Sequence, residues 1–348
     1  MPPYRVALLP GDGVGPEVIA EARKALDALG LPIDWTELPW GSAWYHEHGR
    51  MMPEDWDAQL AGFQAVLLGA IGDPSVPDHV SLWGSILELR QRLDLWANLR
   101  PCRLLPGIPG PLAGRGPDDF DILFVRENTE GEYAGVGGRA HRGLASEVAI
   151  ETSVFTRAGV ERVVRLAFEC AAQRRGLLTS ATKSNASRFG YVLWDEIVEE
   201  IAGDFPGVRV ERVLVDALAA RLVRSPDSFD VVVASNLFAD ILTDLGAAIQ
   251  GSMGLAASAN LAFDGTGPSM FEPVHGSAPD IAGQGRANPI GTVWAGALML
   301  RHLGYEQEAA RVERAIDSVC EDGRVLTGDL GGTASTSEVG DALARALG

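Results

Sequence analysis

The chain has 348 residues, 46% of them hydrophobic and 22% charged, and a formal net charge of −18. That is the composition of a globular protein with room for two domains and a sizeable core. Such an acidic chain repels phosphate at long range, which argues against a nucleic-acid or anionic-membrane partner and leaves small anions only where basic side chains converge.

The opening, MPPYRVALLPGDG, lacks the basic-then-apolar layout of a signal peptide. Arg5–Leu9 reads as a buried strand, followed by the turn GDGVGP and an amphipathic helix through Leu29. Gly11-Asp-Gly-Val-Gly-Pro16 is close to a dinucleotide fingerprint, but Pro16 stands where the third glycine belongs. It therefore reads as a tight strand-to-helix turn and not as a Rossmann site. Ala65–Leu68 is a second strand, ending in GAIGDP, and Ile122–Val125 a third, ending in RENTEGEY. Gly135–Glu147, of mixed polarity, fits a loop or a protruding hairpin. Val208–Val215 and Asp230–Ala234 are two further strands. The apolar run Ile290–Leu300 falls short of the roughly 18 residues a membrane helix needs and reads as a buried or subunit-facing helix. Pro- and Gly-rich stretches at Pro101–Pro117 and Gly251–Pro268 are candidate crossings between domains. Cys102, Cys170 and Cys320 are scattered and form no CxxC, which fits reduced thiols in a cytoplasmic protein.

Strands alternating with helices define an α/β fold with much parallel sheet. Ligands in such sheets sit beyond the carboxyl ends of the strands, which here read GDG, GAIGD, RENTE, VD and SN. Asp240 and Asp244, in NLFADILTDL, lie four apart and share one helix face; Asp216 closes the strand VERVLVD. Two readings fit: acidic residues favoured near a helix start, or oxygen ligands gathered around a hard divalent cation, Mg²⁺ or Mn²⁺. Arg100, in an extended segment before Pro101, and Arg126, at a strand end, are less readily surface arginines than most; Arg90 lies in LELRQR. A guanidinium grips a carboxylate through two parallel hydrogen bonds. Lys183 and Lys24 are the only lysines among 29 basic side chains. Lysine, unlike arginine, can act as a base when its surroundings disfavour the ammonium, so Lys183 and Tyr133 are acid–base candidates as well as ordinary surface or core residues. Glu272-Pro-Val-His-Gly-Ser-Ala-Pro-Asp-Ile281 is a polar loop of the kind that could wrap a cofactor.

Together these stretches resemble the β-decarboxylating dehydrogenase family of isocitrate, 3-isopropylmalate, homoisocitrate and tartrate/D-malate dehydrogenases. The resemblance runs nearly end to end through LLPGDGVGPEV, LRQRLDLWANLRP, VRENTEGEY, ATKSN, FDVVVASNLFADILTDL and FEPVHGSAPDIAGQGRANP. It implies a two-domain, isopropylmalate-dehydrogenase-like, non-Rossmann α/β fold with mixed sheets flanked by helices. Residues 1–99 plus 251–348 would form the terminal, cofactor-side domain, and 100–250 the central domain for dimerisation, metal and substrate. By the same resemblance Arg90, Arg100 and Arg126 bind the malate-type core, and Asp216, Asp240 and Asp244 hold Mg²⁺ or Mn²⁺. Tyr133 and Lys183 form the acid–base pair. Glu272, His275, Gly276, Ser277, Ala278, Asp280, Ile281 and Asn288 make the cofactor loop, and K⁺ is a further candidate ion. It also implies a homodimer whose active sites are shared, the lysine and one aspartate coming from the neighbouring subunit.

The residues before Arg90, DHVSLWGSILELR, face the substrate's variable substituent in that family. Gly84 and Ile86 stand where isocitrate enzymes carry Ser and Asn, and Leu87 where homoisocitrate enzymes carry Arg. A third carboxylate would meet apolar atoms there, a costly desolvation. Trp83 replaces the glutamate of isopropylmalate enzymes and narrows the pocket. DHVSLWGS, RENTEGEY followed by GGR, and TSATKSN resemble the tartrate/D-malate branch of the family, so the expected substrate is a small (2R)-hydroxy diacid, D-malate or tartrate. 3-Isopropylmalate is the alternative substrate, and a catalytically silent regulatory subunit the alternative of another class. Asp280 followed by Ile281 fits NAD, because a carboxylate accepts from the ribose 2′-OH and repels a 2′-phosphate.

Overall fold

The computed structural model describes residues 3–263 and 267–348. Among these residues the strands are β1 (Tyr4–Gly11), β2 (Ile33–Glu37), β3 (Ala65–Ala70), β4 (Ala97–Arg103), β5 (Asp121–Glu127), β6 (Gly131–Ala140), β7 (Val148–Val154), β8 (Leu177–Thr182), β9 (Arg209–Leu214), β10 (Val231–Ala234), β11 (Ala257–Leu261) and β12 (Ser269–Pro273). The chain divides into two compact units. The first comprises Met1–Leu95, Arg100–Asp119 and Gly246–Gly348, and the second Trp96–Leu99 and Phe120–Leu245. All five strands expected from the apolar runs form, within a residue or two of the expected bounds. The hairpin reading of Gly135–Glu147 also holds: β6 and β7 pair antiparallel from Val136 opposite Thr152 to Ala140 opposite Val148.

In the first unit the strands run in the order β2-β1-β3-β12-β11, with β1, β2, β3 and β12 parallel and β11 antiparallel to β12. The antiparallel partner makes this a mixed sheet, distinct from a doubly wound Rossmann sheet. The helix Ile290–His302 is apolar all round and almost wholly buried, as a core helix must be. The stretch 100–119 joins this unit rather than the central one. Arg103 explains part of that choice: it pairs with Asp317 at 2.8 Å and lies over the Trp294 ring, while the Cys102 thiol donates to the Gly246 carbonyl. Gly251–Pro268 lies inside the same unit and supplies β11 instead of a crossing.

In the second unit β5-β10-β8-β9 form a wholly parallel row. The helix Arg157–Ala172 buries Val160, Val163, Val164, Ala167, Phe168 and Ala171, the i, i+3, i+4 stripe that packs on a sheet. Thr156 caps it by accepting from the Gly159 amide at 3.0 Å. The helix Gly190–Ala202 adds Tyr191, Trp194, Ile197, Val198 and Ile201 to the same core, against Val231 and Val233 of β10. Trp194 is fully buried and its indole N–H donates to Ser180 Oγ at 2.9 Å. Outside this core Val136, Val148 and Ile150 of the hairpin, Phe189, Val223 and Ile241 are exposed.

Burial, ahead of a neighbouring acid, pushes the Cys170 thiol up to about 11 and the Cys320 thiol up to about 12, which disfavours their reactive thiolates. Among the described residues no helix is long and apolar enough to cross a membrane. Trp194→Ala should cost about 3–5 kcal/mol through the lost ring and cavity, and Ser180→Ala about 1–3 kcal/mol through an unpaired indole N–H. Urea midpoints followed by circular dichroism should fall in that order.

Candidate functional site

In the second unit the site residues stand at the ends of adjacent parallel strands. β5 and β10 run in register, with Arg126 beside Ala234. The chain leaves β10 through Ser235 straight into the helix Asn236–Gln250, so the first turns of that helix rise beside Arg126. Arg126 is buried, its side chain 2% exposed. Its Nε and Nη2 donate to Asn236 Oδ1 at 3.0 and 2.8 Å, and its Nη1 pairs with Asp240 Oδ1. Asn236 in turn donates to the Glu130 carbonyl at 3.0 Å. Tyr133, on β6, donates its hydroxyl to Asp240 Oδ2 at 3.1 Å, and its ring lies near the guanidinium, 5.9 Å away. Burial first, then the Asp240 carboxylate, hold the Tyr133 phenol above its ordinary pKa of 10.0.

A second cluster forms where β8 and β9 end side by side, Thr182 opposite Leu214. Lys183 follows the first strand, and Asp216 lies in the first turn of the helix Val215–Arg224 that follows the second. Asp216 is therefore a helix residue and not the end of the strand. Lys183 Nζ donates to Asp216 Oδ1 at 2.6 Å. That hydrogen bond, then the helix-start amides, lower the Asp216 pKa. Asp216 remains two-thirds exposed, and Asp244 is exposed one turn beyond Asp240. Among the described residues no three His, Cys, Asp or Glu side chains of one protomer converge as a metal-holding group. Asp216 and the pair Asp240 and Asp244 thus belong to separate clusters of the same chain.

The first unit holds the remaining residues. Arg90, on the helix Ile86–Arg92, pairs with Glu272 Oε1 at 2.7 Å, and both side chains are buried. Asn260 donates to the same oxygen at 2.8 Å, so an arginine expected at substrate and a glutamate expected at cofactor are joined. Arg100 is buried on β4. Trp83 closes the helix Asp78–Trp83 and is partly exposed; Ile86 is half-buried, whereas Leu87 points into the core.

The polar loop after β12 forms one wall of a cavity of about 430 Å³, within the usual size range of ligand sites. Val14, Ala278, Ile281 and Ala287 give it an apolar side, and His275, Asn288, Ser252, Arg286 and Asp329 a polar one. Asn288 Nδ2 donates to Asp329 Oδ2 at 3.0 Å. The His275 Nδ1 bonds to the Gly276 carbonyl at 2.9 Å, its Nε2 is buried with no partner among the described residues, and burial lowers its pKa. A neutral imidazole and an unsatisfied ring nitrogen in a mixed apolar and polar cavity fit a heterocyclic ligand. Ser277 is buried against the turn at Gly13 and Val14, whereas Gly276 and Asp280 are exposed. Sequence reasoning missed Asp329, Ser252, Arg286 and Val14. Asp329 lies in a GDLGG turn, whose composition signals only a turn.

Comparisons with known proteins identify the family. The profile of the isocitrate/isopropylmalate dehydrogenase family matches residues 5–343, and the chain belongs to that family. A probable tartrate dehydrogenase/decarboxylase of Agrobacterium vitis is 51% identical over 350 residues, 99% of this chain and 98% of that protein. The D-malate dehydrogenase (decarboxylating) of Escherichia coli is 50% identical over 359 residues, covering 100% and 99% of the two chains. The crystal structure of isocitrate dehydrogenase from Methylococcus capsulatus superposes with a TM-score of 0.90 at 36% identity, over 99% of both chains. The non-Rossmann fold expected from the motifs is thereby established. Dehydrogenases of this family generally use a divalent metal and NAD(P), and its members are typically homodimers acting on small hydroxy acids.

A raised phenol pKa means that Tyr133 adds stability below pH 10 and loses that contribution as the pH climbs through the raised value. In alkaline titrations followed by tyrosinate absorbance with EDTA present, Tyr133→Phe should delete a component ionising above pH 10. Asp240→Asn should bring that component down.

Proposed function

We propose that the protein catalyses the NAD-linked oxidative decarboxylation of a small (2R)-hydroxy diacid, D-malate to pyruvate and CO₂, with tartrate as a further substrate. The observation that carries this reading is the cluster of buried Arg126 with the half-buried Tyr133 and Asp240 at the carboxyl end of a parallel sheet. A carboxylate grip, a proton donor and an oxygen ligand stand there within one hydrogen-bonded group. The two relatives with half their residues in common, a tartrate and a D-malate dehydrogenase by name, support the choice of substrate over 3-isopropylmalate and over a silent subunit.

The donor set of Asp216, Asp240 and Asp244 is all carboxylate oxygen, which suits Mg²⁺ or Mn²⁺. When bound, such a cation supplies Lewis acidity toward the substrate's C1 carboxylate and C2 hydroxyl. The loop cavity would take the adenosine part of NAD, which supplies the hydride acceptor. The exposed Asp280 carboxylate accepts from a ribose 2′-OH and repels a 2′-phosphate. Arg90, Arg100 and Arg126 are the proposed grips for the diacid's carboxylates, and the apolar Trp83 and Ile86 favour a small third substituent. Lys183 Nζ takes the proton of the C2 hydroxyl, directly or through water. After CO₂ leaves, Tyr133, protonated throughout the neutral range, returns a proton to C3.

Lys183 and Asp216 of one protomer are proposed to complete the site of its partner in a homodimer. Two features support this: the pair does not converge with Asp240 and Asp244 in its own chain, and the same unit exposes Phe189, Ile241 and Val223. The three thiols, none of them in a redox motif, suit a reducing cytoplasm.

An NADH-absorbance assay with Mn²⁺ and K⁺ should give the highest kcat/KM with D-malate or a tartrate isomer, and far lower values with 3-isopropylmalate and isocitrate. A preference for 3-isopropylmalate, or for NADP over NAD, would reject the respective assignment. Lys183→Met should lose about 10²–10⁴-fold in kcat while diacid binding, read by calorimetry, stays within a few-fold. Near wild-type turnover would exclude Lys183 as the base.

A further inference from the structure

The turn GDGVG, which fails as a dinucleotide fingerprint, has another task in the structure. It is fixed from below. The Asp12 amide donates to the Ala70 carbonyl at 2.8 Å. The Asp12 carboxylate accepts from the Ser42 amide at 2.7 Å, the Ser42 hydroxyl at 2.8 Å and the Gly72 amide at 2.9 Å. Four hydrogen bonds to one buried residue leave the turn a single conformation.

On its other side the rigid turn carries the cofactor loop. The Val14 amide donates to the Ser277 carbonyl at 2.9 Å. Gly13 has φ +57°, and a Cβ there would come within 2.0 Å of that carbonyl oxygen, so only glycine lets the two backbones touch. One helical turn later a Glu17 carboxylate oxygen accepts from the Gly283 amide, at the far end of the loop. Between these tethers Val14 and Val18 form a small apolar cluster with Ala278, Ile281, Ala282 and Ala287, apart from the main cores. The loop needs such support: Ala278, which lines the cavity, has φ +41°, a left-handed conformation that a residue with a Cβ adopts only when its surroundings impose it.

We propose that Gly13 and Glu17 are positioning residues that set the enzyme's affinity for NAD by holding residues 275–283 in shape. This rests on the reading of that loop as the cofactor site. The wall that faces the ligand is built by Val14 and the loop, whereas Gly13 and Glu17 act only on loop backbone. The two tethers act at opposite ends of the loop, so loss of either leaves the strained Ala278 free to relax.

Fluorescence titration of the wild-type dimer with NADH, and steady-state kinetics with D-malate, provide the test. Glu17→Ala should raise the Kd for NADH and the KM for NAD roughly tenfold, the scale of one lost charge-assisted hydrogen bond. The kcat at saturating NAD and the KM for D-malate should stay within twofold. Glu17→Gln keeps an acceptor oxygen and should recover most of the affinity, a rescue that general loosening of the fold would not give. Gly13→Ala should have the larger effect. If that variant fails to fold, the Glu17 pair decides alone. Unchanged Kd and KM in Glu17→Ala, or an equal loss in kcat and in KM for D-malate, would overturn the proposal. A wild-type protein that binds no NADH would instead overturn the cofactor reading beneath it.

Discussion

The arrangement depends on the burial of one guanidinium. Arg126 sits almost wholly out of water, where an unpaired charge would cost several kcal/mol. Its donors must therefore be met inside the protein. Asn236 meets two of them and Asp240 a third, and both residues ride the helix that follows the neighbouring strand. The need to satisfy Arg126 thus sets where that helix starts, and with it where Asp240 presents its second oxygen to Tyr133. The proposed substrate grip, proton donor and metal ligand are coupled through this single requirement. Changing any one of them alters the electrostatics of the others.

The same logic of adjacent strand ends places Lys183 against Asp216. Parallel strands in register deliver the residues just past their ends to the same level, and the helix start at Asp216 adds amide hydrogen bonds that favour the carboxylate. Besides Arg90 and Arg100, the first unit contributes a lining different in kind. There the polar atoms line a cavity with an apolar wall, as befits a large, partly aromatic ligand in place of a small diacid.

Much of this was legible in the sequence because buried parallel strands are short apolar runs, and functional residues follow them directly. RENTEGEY after Ile122–Val125 and NLFADILTDL after Asp230–Ala234 are readable for that reason. β2, β4, β8, β11 and β12 were not assigned from the sequence: NLRP and FEP mix polar and apolar residues without a clean period, and their strand character comes from neighbours in the sheet. The placement of residues 100–119 was hidden as well, since Pro and Gly mark a break in regular structure but not which unit the segment packs on. The Arg90–Glu272 pair joins residues 182 positions apart, and no local pattern announces such a partner. The role of the GDG turn was likewise invisible, because it resides in a contact with Ser277 at the other end of the sequence.

Asp216 and Lys183 form an exposed pair in the second unit that does not converge with the carboxylates it is proposed to join. On the proposed sharing of sites between subunits, a lone chain would be inactive. The enzyme's specific activity would fall on dilution below the concentration at which subunits pair. A mixed dimer would reveal the wiring: a subunit without its lysine disables its neighbour's reaction centre and keeps its own, so two differently damaged chains can restore one working centre between them.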